Sequence, residues 1–63
     1  MRNKIKELRK SQKLTQEELA QLIGVSRQAI NAIEKEKFDP SLSTAFKMSK
    51  LFKLSIEELF CFQ

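Results

Sequence analysis

The only glycine of this chain, Gly24, falls between two short amphipathic stretches, and that placement constrains the fold more than any other feature. Ala20 lies one helical turn before it, and Ile30 and Ile33 follow it at helical spacing. A glycine permits the positive φ that a tight interhelical turn needs. A small residue on the preceding helix lets the following helix approach closely. Two branched apolar residues then anchor the second helix on the first. Residues 16–35 therefore read as two short helices packed across a turn, a helix-turn-helix unit.

Sixty-three residues bound the chain to one domain at most, spanning 1–63. The composition, 41% hydrophobic and 32% charged, is that of a soluble globular protein. No apolar run approaches the roughly 20 residues of a membrane span, so no membrane partner is expected. The start, Met1 to Lys6, has no apolar signal core, which argues against secretion. One cysteine and no histidine exclude an internal disulfide, a Cys/His metal cluster and histidine-based catalysis. No metal and no cofactor are expected. Without a glycine-rich loop or an evident carboxylate pair, the chain does not read as an enzyme. Cys61 is expected as a buried apolar filler, and a reducing cytoplasm fits the cysteine usage. The net charge is +4, and Arg2, Lys4, Lys6, Arg9, Lys10 and Lys13 stand against Glu7 alone in the first thirteen residues. Such a balance suits a polyanion, although charge alone is equally a solvated surface.

Five helices are predicted. The first starts after Asn3 and runs to about Gln12, with Ile5 and Leu8 on its apolar stripe and Arg9 beside them. A buried arginine needs a partner, and Glu34, one turn after Ile30, is the natural one. Thr15 and Glu18 fit a capping box that opens the second helix, whose inner face is Leu19, Leu22 and Ile23. Ser26 caps the third. Pro40 disfavours helix at Asp39, and Ser41 caps the fourth. Leu42, Ala45, Phe46, Met48, Ser49 and Phe52 form the broad face of that helix, leaving Leu51 outside. Phe38 and Phe46 are expected in the core. Ser55 and Glu58 form a second capping box and open a short fifth helix, followed by an alternating tail, Phe60 to Gln63.

With Ile30 at the centre of the buried face, Gln28, Asn31, Ala32 and Lys35 turn to the opposite side and Arg27 to the flank. Arg27, Gln28 and Asn31 thus occupy the first turn and a half, where a helix of this kind enters the major groove. Arginine pairs with guanine O6 and N7 through two parallel donors, and glutamine and asparagine do so with adenine N6 and N7. Polar residues on an outer helix face are ordinarily just solvated. Their conjunction with Ala20, Gly24, Ile30 and Ile33 shifts the reading to double-stranded DNA. The helix starts at Thr15/Gln16 and Ser41/Leu42 offer free N–H groups to phosphates. Gln16 adds an amide, and Lys13, Lys35 and Lys37 add salt-sensitive charge.

Ile5-Lys6-Glu7-Leu8-Arg9, Leu14-Thr15-Gln16-Glu17-Glu18-Leu19-Ala20, Gly24-Val25-Ser26-Arg27-Gln28, Ile33-Glu34 and Pro40-Ser41-Leu42 together resemble the Cro/CI-type, or XRE-type, helix-turn-helix regulators, in particular their small stand-alone bacterial members. The resemblance covers about residues 3–60. It implies an all-α, compact five-helix, lambda-repressor-like DNA-binding domain that binds operator DNA as a two-fold dimer. It implies Gln16 on a phosphate and near Gln28, base contacts from Arg27, Gln28 and Asn31, and a buried Arg9–Glu34 pair. In small members the chain ends pair as a short antiparallel β-ribbon and help dimerise, and Met1–Lys4 and Phe60–Phe62 occupy the matching places. The family usually has glycine after the third helix and often after the fourth, where this chain has Glu36 and Lys53. Either those helix ends differ, or stability is given up there.

The expected function is a sequence-specific transcriptional regulator, a repressor that occludes a promoter as a homodimer. Leu51, Phe60 and Phe62 are the candidate apolar dimer contacts. The competing reading is an antitoxin or anti-repressor that uses the same fold to cover a regulatory protein partner.

Overall fold

Four hydroxyl side chains start four of the five helices in the computed structural model, which describes residues 1–61. The chain runs β1 (Arg2–Asn3), α1 (Ile5–Ser11), α2 (Gln16–Ile23), α3 (Arg27–Glu34), α4 (Leu42–Phe52), α5 (Ile56–Leu59) and β2 (Phe60–Cys61). Thr15, Ser26, Ser41 and Ser55 each accept the backbone N–H three residues on. At Thr15 and Ser55 the capping box is complete, with Glu18 and Glu58 accepting from the cap residue's own N–H. The Ser55 backbone N–H, and then its hydroxyl, hold the Glu58 carboxyl below its usual range.

Gly24 ends α2 at φ 86° and donates its N–H to Ala20 O at 2.8 Å. Three other residues take positive φ with a side chain attached: Lys13 (58°), Glu36 (63°) and Lys53 (57°). The left-handed helix ends at Glu36 and Lys53 are thus kept without glycine. A side chain there costs about 1 kcal/mol. Lys53→Gly is accordingly expected to raise stability by about 0.5–1 kcal/mol, part of the relief being offset by glycine's backbone entropy. For a fold of this size that is a rise in Tm of a few degrees, roughly 2–8 °C, readable by thermal circular dichroism.

Ile5, Leu19, Ile23, Ile30, Ile33, Met48 and Leu59 are buried at the centre, with Ala20, Ala45, Phe52 and Phe60 closing the core around them. Removing each large side chain from water is worth roughly 1.5–3 kcal/mol. The chain ends pair antiparallel, Arg2 opposite Cys61 and Asn3 opposite Phe60. Lys4 N–H donates to Leu59 O at 3.0 Å. This is the terminal ribbon the resemblance implied, and it forms within one copy of the chain. Strand alternation sends Phe60 inward and leaves Cys61 exposed, so Cys61 is not the buried filler expected.

Several expected faces are corrected. On α2, Ala20 takes the inner position where α3 approaches, and Leu22 is turned out, 59% exposed. The buried stripe of α4 is Thr44, Ala45, Met48 and Phe52, rotated by most of one residue step from the face expected. Thr44 tolerates burial because its hydroxyl accepts from Ser41 Oγ at 3.0 Å. The rotation leaves Leu42 (68%) and Phe46 (53%) exposed and brings Leu51 half-buried against the core. Phe38 is also exposed rather than in the core. Among the described residues no helix is long and apolar enough to cross a membrane.

Candidate nucleic-acid interface

The outer face of α3 is fixed from behind by charge. Arg9, buried on α1, donates from Nε to Glu34 Oε2 at 2.6 Å and from Nη2 to Glu34 Oε1 at 3.2 Å. Its Nη1 donates to Leu14 O at 2.7 Å. The Arg9 fork thus grips the end of α3 and the turn before α2 together, in the two-point geometry that suits guanidinium and carboxylate. Gln16, the first residue of α2, adds a third link. Its Nε2 donates to Glu34 Oε1 at 3.0 Å and to Asn31 Oδ1 at 3.3 Å.

On this support the first turn and a half of α3 presents its polar face. Arg27 and Gln28 are exposed and Asn31 is half-buried. Ser26 Oγ accepts from Ala29 N–H at 3.1 Å, leaving the first N–H groups of α3 pointing along the helix entry. Arg27 also borders a shallow groove with Lys13, Thr15, Gln16 and Glu17, so the start of α2 and the start of α3 face the same space. In the Thr15 capping box the N–H groups of Thr15 and Glu18 are engaged, and those of Gln16 and Glu17 remain for an anion. The side chain of Gln16 is turned toward α3, its amide N–H groups on Glu34 and Asn31.

The other sequence-derived positions lie apart from that groove. Lys35 ends α3, and Lys37 follows it with its N–H on Ala32 O, at the opposite end of the helix from Arg27. Both are exposed. Ser41 starts α4, where the N–H groups of Leu42 and Ser43 are not used by the cap. Of the three residues expected at a dimer contact, Phe60 is buried in its own chain's core, Leu51 packs against that core, and Phe62 lies outside the described residues.

Two residues at the site had no sequence signal. Asn3 Nδ2 donates to Ile33 O at 2.8 Å, and the Asn3 N–H donates to Glu36 Oε2 at 3.2 Å, which ties the end of α3 to β1. Lys47 of α4 arches over the turn, with Nζ 3.9 Å from where a Cβ at Gly24 would sit. Its charge stands by the carbonyl end of α2, the favourable end of that dipole for a cation.

Residues 5–59 match the family model described as Helix-turn-helix. An uncharacterised HTH-type transcriptional regulator of Methanocaldococcus jannaschii is 54% identical over 63 residues, covering 100% of this chain and 96% of that protein. The HTH-type regulator YgzD of Bacillus subtilis is 45% identical over 60 residues, covering 95% of this chain and 91% of that one. Small relatives of nearly this length thus occur in an archaeon as well as a bacterium. Among solved structures, the restriction-modification controller protein C.AhdI from Aeromonas hydrophila superposes with a TM-score of 0.79 at 32% identity. The superposition covers 90% of this chain and 86% of the controller.

Proposed function

The chain belongs to the XRE-type helix-turn-helix family of DNA-binding transcriptional regulators, and on that premise we propose that it is a repressor that occupies a two-fold operator as a homodimer. In this reading α3 lies in the major groove and Arg27, Gln28 and Asn31 meet base edges. The free N–H groups at the starts of α2 and α4, with Thr15, Ser41, Lys35 and Lys37, hold the phosphate backbone. The observation that carries the reading is the set of three polar side chains, Arg27, Gln28 and Asn31, on the entry turns of a helix clamped from behind by Arg9 and Glu34. Gln16, the first residue of α2, belongs to the same set of phosphate contacts.

Two copies are proposed on grounds of size and surface. The longest dimension of the chain is 28 Å, whereas half-sites one helical turn apart are about 34 Å from centre to centre. One copy therefore spans one half-site. The apolar side chains left open on α4, Leu42 and Phe46, stand one turn apart, and Leu42 borders a cleft lined in part by Met1, Pro40 and Ile56. They replace Leu51 and Phe60 as the surface for pairing, since exposed large apolar groups in a cluster favour burial against a partner. Phe46→Glu is expected to leave the fold intact and to weaken pairing by about 2 kcal/mol, the worth of one buried phenyl ring. Sedimentation would show the monomer gaining, and operator affinity falling with it. A Phe46→Glu chain that pairs as the native one does would remove α4 from the interface.

The functional test is a titration against a duplex from upstream of the chain's own reading frame and against a scrambled duplex, at two salt concentrations. A preference for its own sequence that survives added salt is expected. Equal binding to both, erased by salt, would reduce the interface to a basic surface.

A further inference from the structure

The loop between α3 and α4 carries two carboxylates, and the start of the chain takes up both. Glu36 Oε2 accepts from the Asn3 N–H at 3.2 Å, and Asp39 Oδ1 lies 3.2 Å from the Met1 ammonium. The loop backbone is held as well. Glu36 and Lys37 donate their N–H groups to Ile33 O and Ala32 O, each at 3.0 Å, and Ser41 closes the loop by capping α4. With its acidic side chains paired, the loop presents Lys35, Lys37 and, 55% exposed, Phe38 to solvent. One exposed phenylalanine needs no explanation by itself, but its place in the fold supplies one. The eight residues of α3 rise about 12 Å, and the major groove is about 12 Å wide. With Arg27 in the groove, the loop after Glu34 stands at the sugar–phosphate wall.

We infer that Phe38 is an apolar DNA contact, its ring laid against deoxyribose of the strand whose phosphates Lys35 and Lys37 take. The inference rests on the reading that α3 enters the major groove. Deoxyribose carbons are the uncharged part of the DNA backbone and are the same in every nucleotide. A ring against them adds affinity through the water it displaces. It carries no base preference, and it releases no counterion, because it neutralises no phosphate. Phe38 thus differs in kind from both of its neighbours in the interface. Loss of Arg27 relaxes one base pair, and loss of Lys37 flattens the salt dependence. Loss of Phe38 does neither and lowers affinity all the same. Phe38 is also outside the lining of the cleft that Leu42 borders, so it is separate from the surface proposed for pairing.

The chain has no tryptophan and no tyrosine, so Phe38→Trp installs a single indole at the position in question. Binding is followed independently by the anisotropy of a fluorescein-labelled duplex from upstream of the chain's own reading frame. As that duplex saturates, the indole emission should shift to the blue and become protected from acrylamide. Phe38→Ser should weaken the preferred and a scrambled duplex alike, by about tenfold, with the native slope of log affinity against log salt. Phe38→Leu, which keeps an apolar side chain, should recover most of that loss. The Phe38→Ser arm decides the matter if Phe38→Trp fails to fold by circular dichroism. An indole unmoved by a saturating duplex would overturn the inference, and so would a Phe38→Ser chain that binds as the native one does. A Phe38→Ser chain with a flattened salt slope would make the ring a support for the lysines and not a contact. An indole that shifts with protein concentration in the absence of DNA, and no further when DNA is added, would place Phe38 between two copies. A native chain that moves the anisotropy of neither duplex would overturn DNA binding itself, a failure told apart from the others because no variant is involved.

Discussion

Arg9→Met should remove about 3–5 kcal/mol of folding stability, the range for stripping one partner from a buried, hydrogen-bonded ion pair. The Glu34 side chain is only 3% exposed, so without Arg9 its carboxylate would keep one partner, the Gln16 amide, and no neutralising charge. The loss includes the Leu14 carbonyl, which Arg9 also satisfies. A core of this size rarely supplies more than about 3–5 kcal/mol in total, so the single substitution is expected to leave the chain largely unfolded. Urea titration followed by circular dichroism would measure it. The double change Arg9→Met with Glu34→Met removes both charges and should recover most of the stability, as apolar replacements of whole buried pairs do. The recovered fold would still lack the anchor that turns Gln16. A single Arg9→Met change costing less than about 1 kcal/mol would mean that the pair is not desolvated as the geometry requires.

Arg27→Ala should lower affinity for the preferred operator by about 1–3 kcal/mol, roughly 5- to 150-fold, while barely changing the fold. Arg27 is exposed at the first position of α3, so little packing is lost, and the effect falls on the duplex alone. The preference should relax at one base pair. Lys37→Ala, by contrast, should weaken preferred and random duplexes by similar factors and flatten the dependence on salt. Affinities measured for both variants on both duplexes at two salt concentrations separate the roles. If Arg27→Ala behaves as Lys37→Ala does, Arg27 is a backbone contact and not a base reader.

What the sequence revealed and what it concealed divide along the range of the interactions involved. Caps at Thr15, Ser26, Ser41 and Ser55 were legible because a cap is settled within three residues of chain. The glycine turn was legible for the same reason. The Arg9–Glu34 pair, although distant in sequence, was legible because an arginine on an apolar stripe demands a partner and few candidates face it. Periodicity gives the width of an apolar stripe but not which neighbour covers it. That is why Leu22, Leu42 and Phe46 were expected inside and are outside, and why Leu51 was expected outside and packs inward. Thr44 was missed because its burial depends on a hydroxyl partner, Ser41, that no hydropathy pattern registers. At the candidate interface, the placement of Arg27, Gln28 and Asn31 on the entry turns of α3, away from Ile30, followed from one helical wheel. The direction in which Gln16 and Asn31 turn their amides did not, because it is fixed by a carboxylate on another turn and an arginine on another helix.

The pairing of Arg2 and Asn3 with Phe60 and Cys61 closes a loop of nearly the whole chain, whereas the other tertiary links here join nearer segments. The entropy of such a closure is met only after the helices have assembled and brought the two ends together. The ribbon is therefore expected to form late and to open early, as a local unfolding below the global barrier. One of its residues, Asn3, also holds the far end of α3, through Ile33 O and Glu36. Every opening of the ribbon thus loosens the C-terminal end of α3, the end opposite Arg27. DNA that binds a stiffened α3 should in turn slow hydrogen exchange at Lys4, an amide far along the chain from Arg27, Gln28 and Asn31.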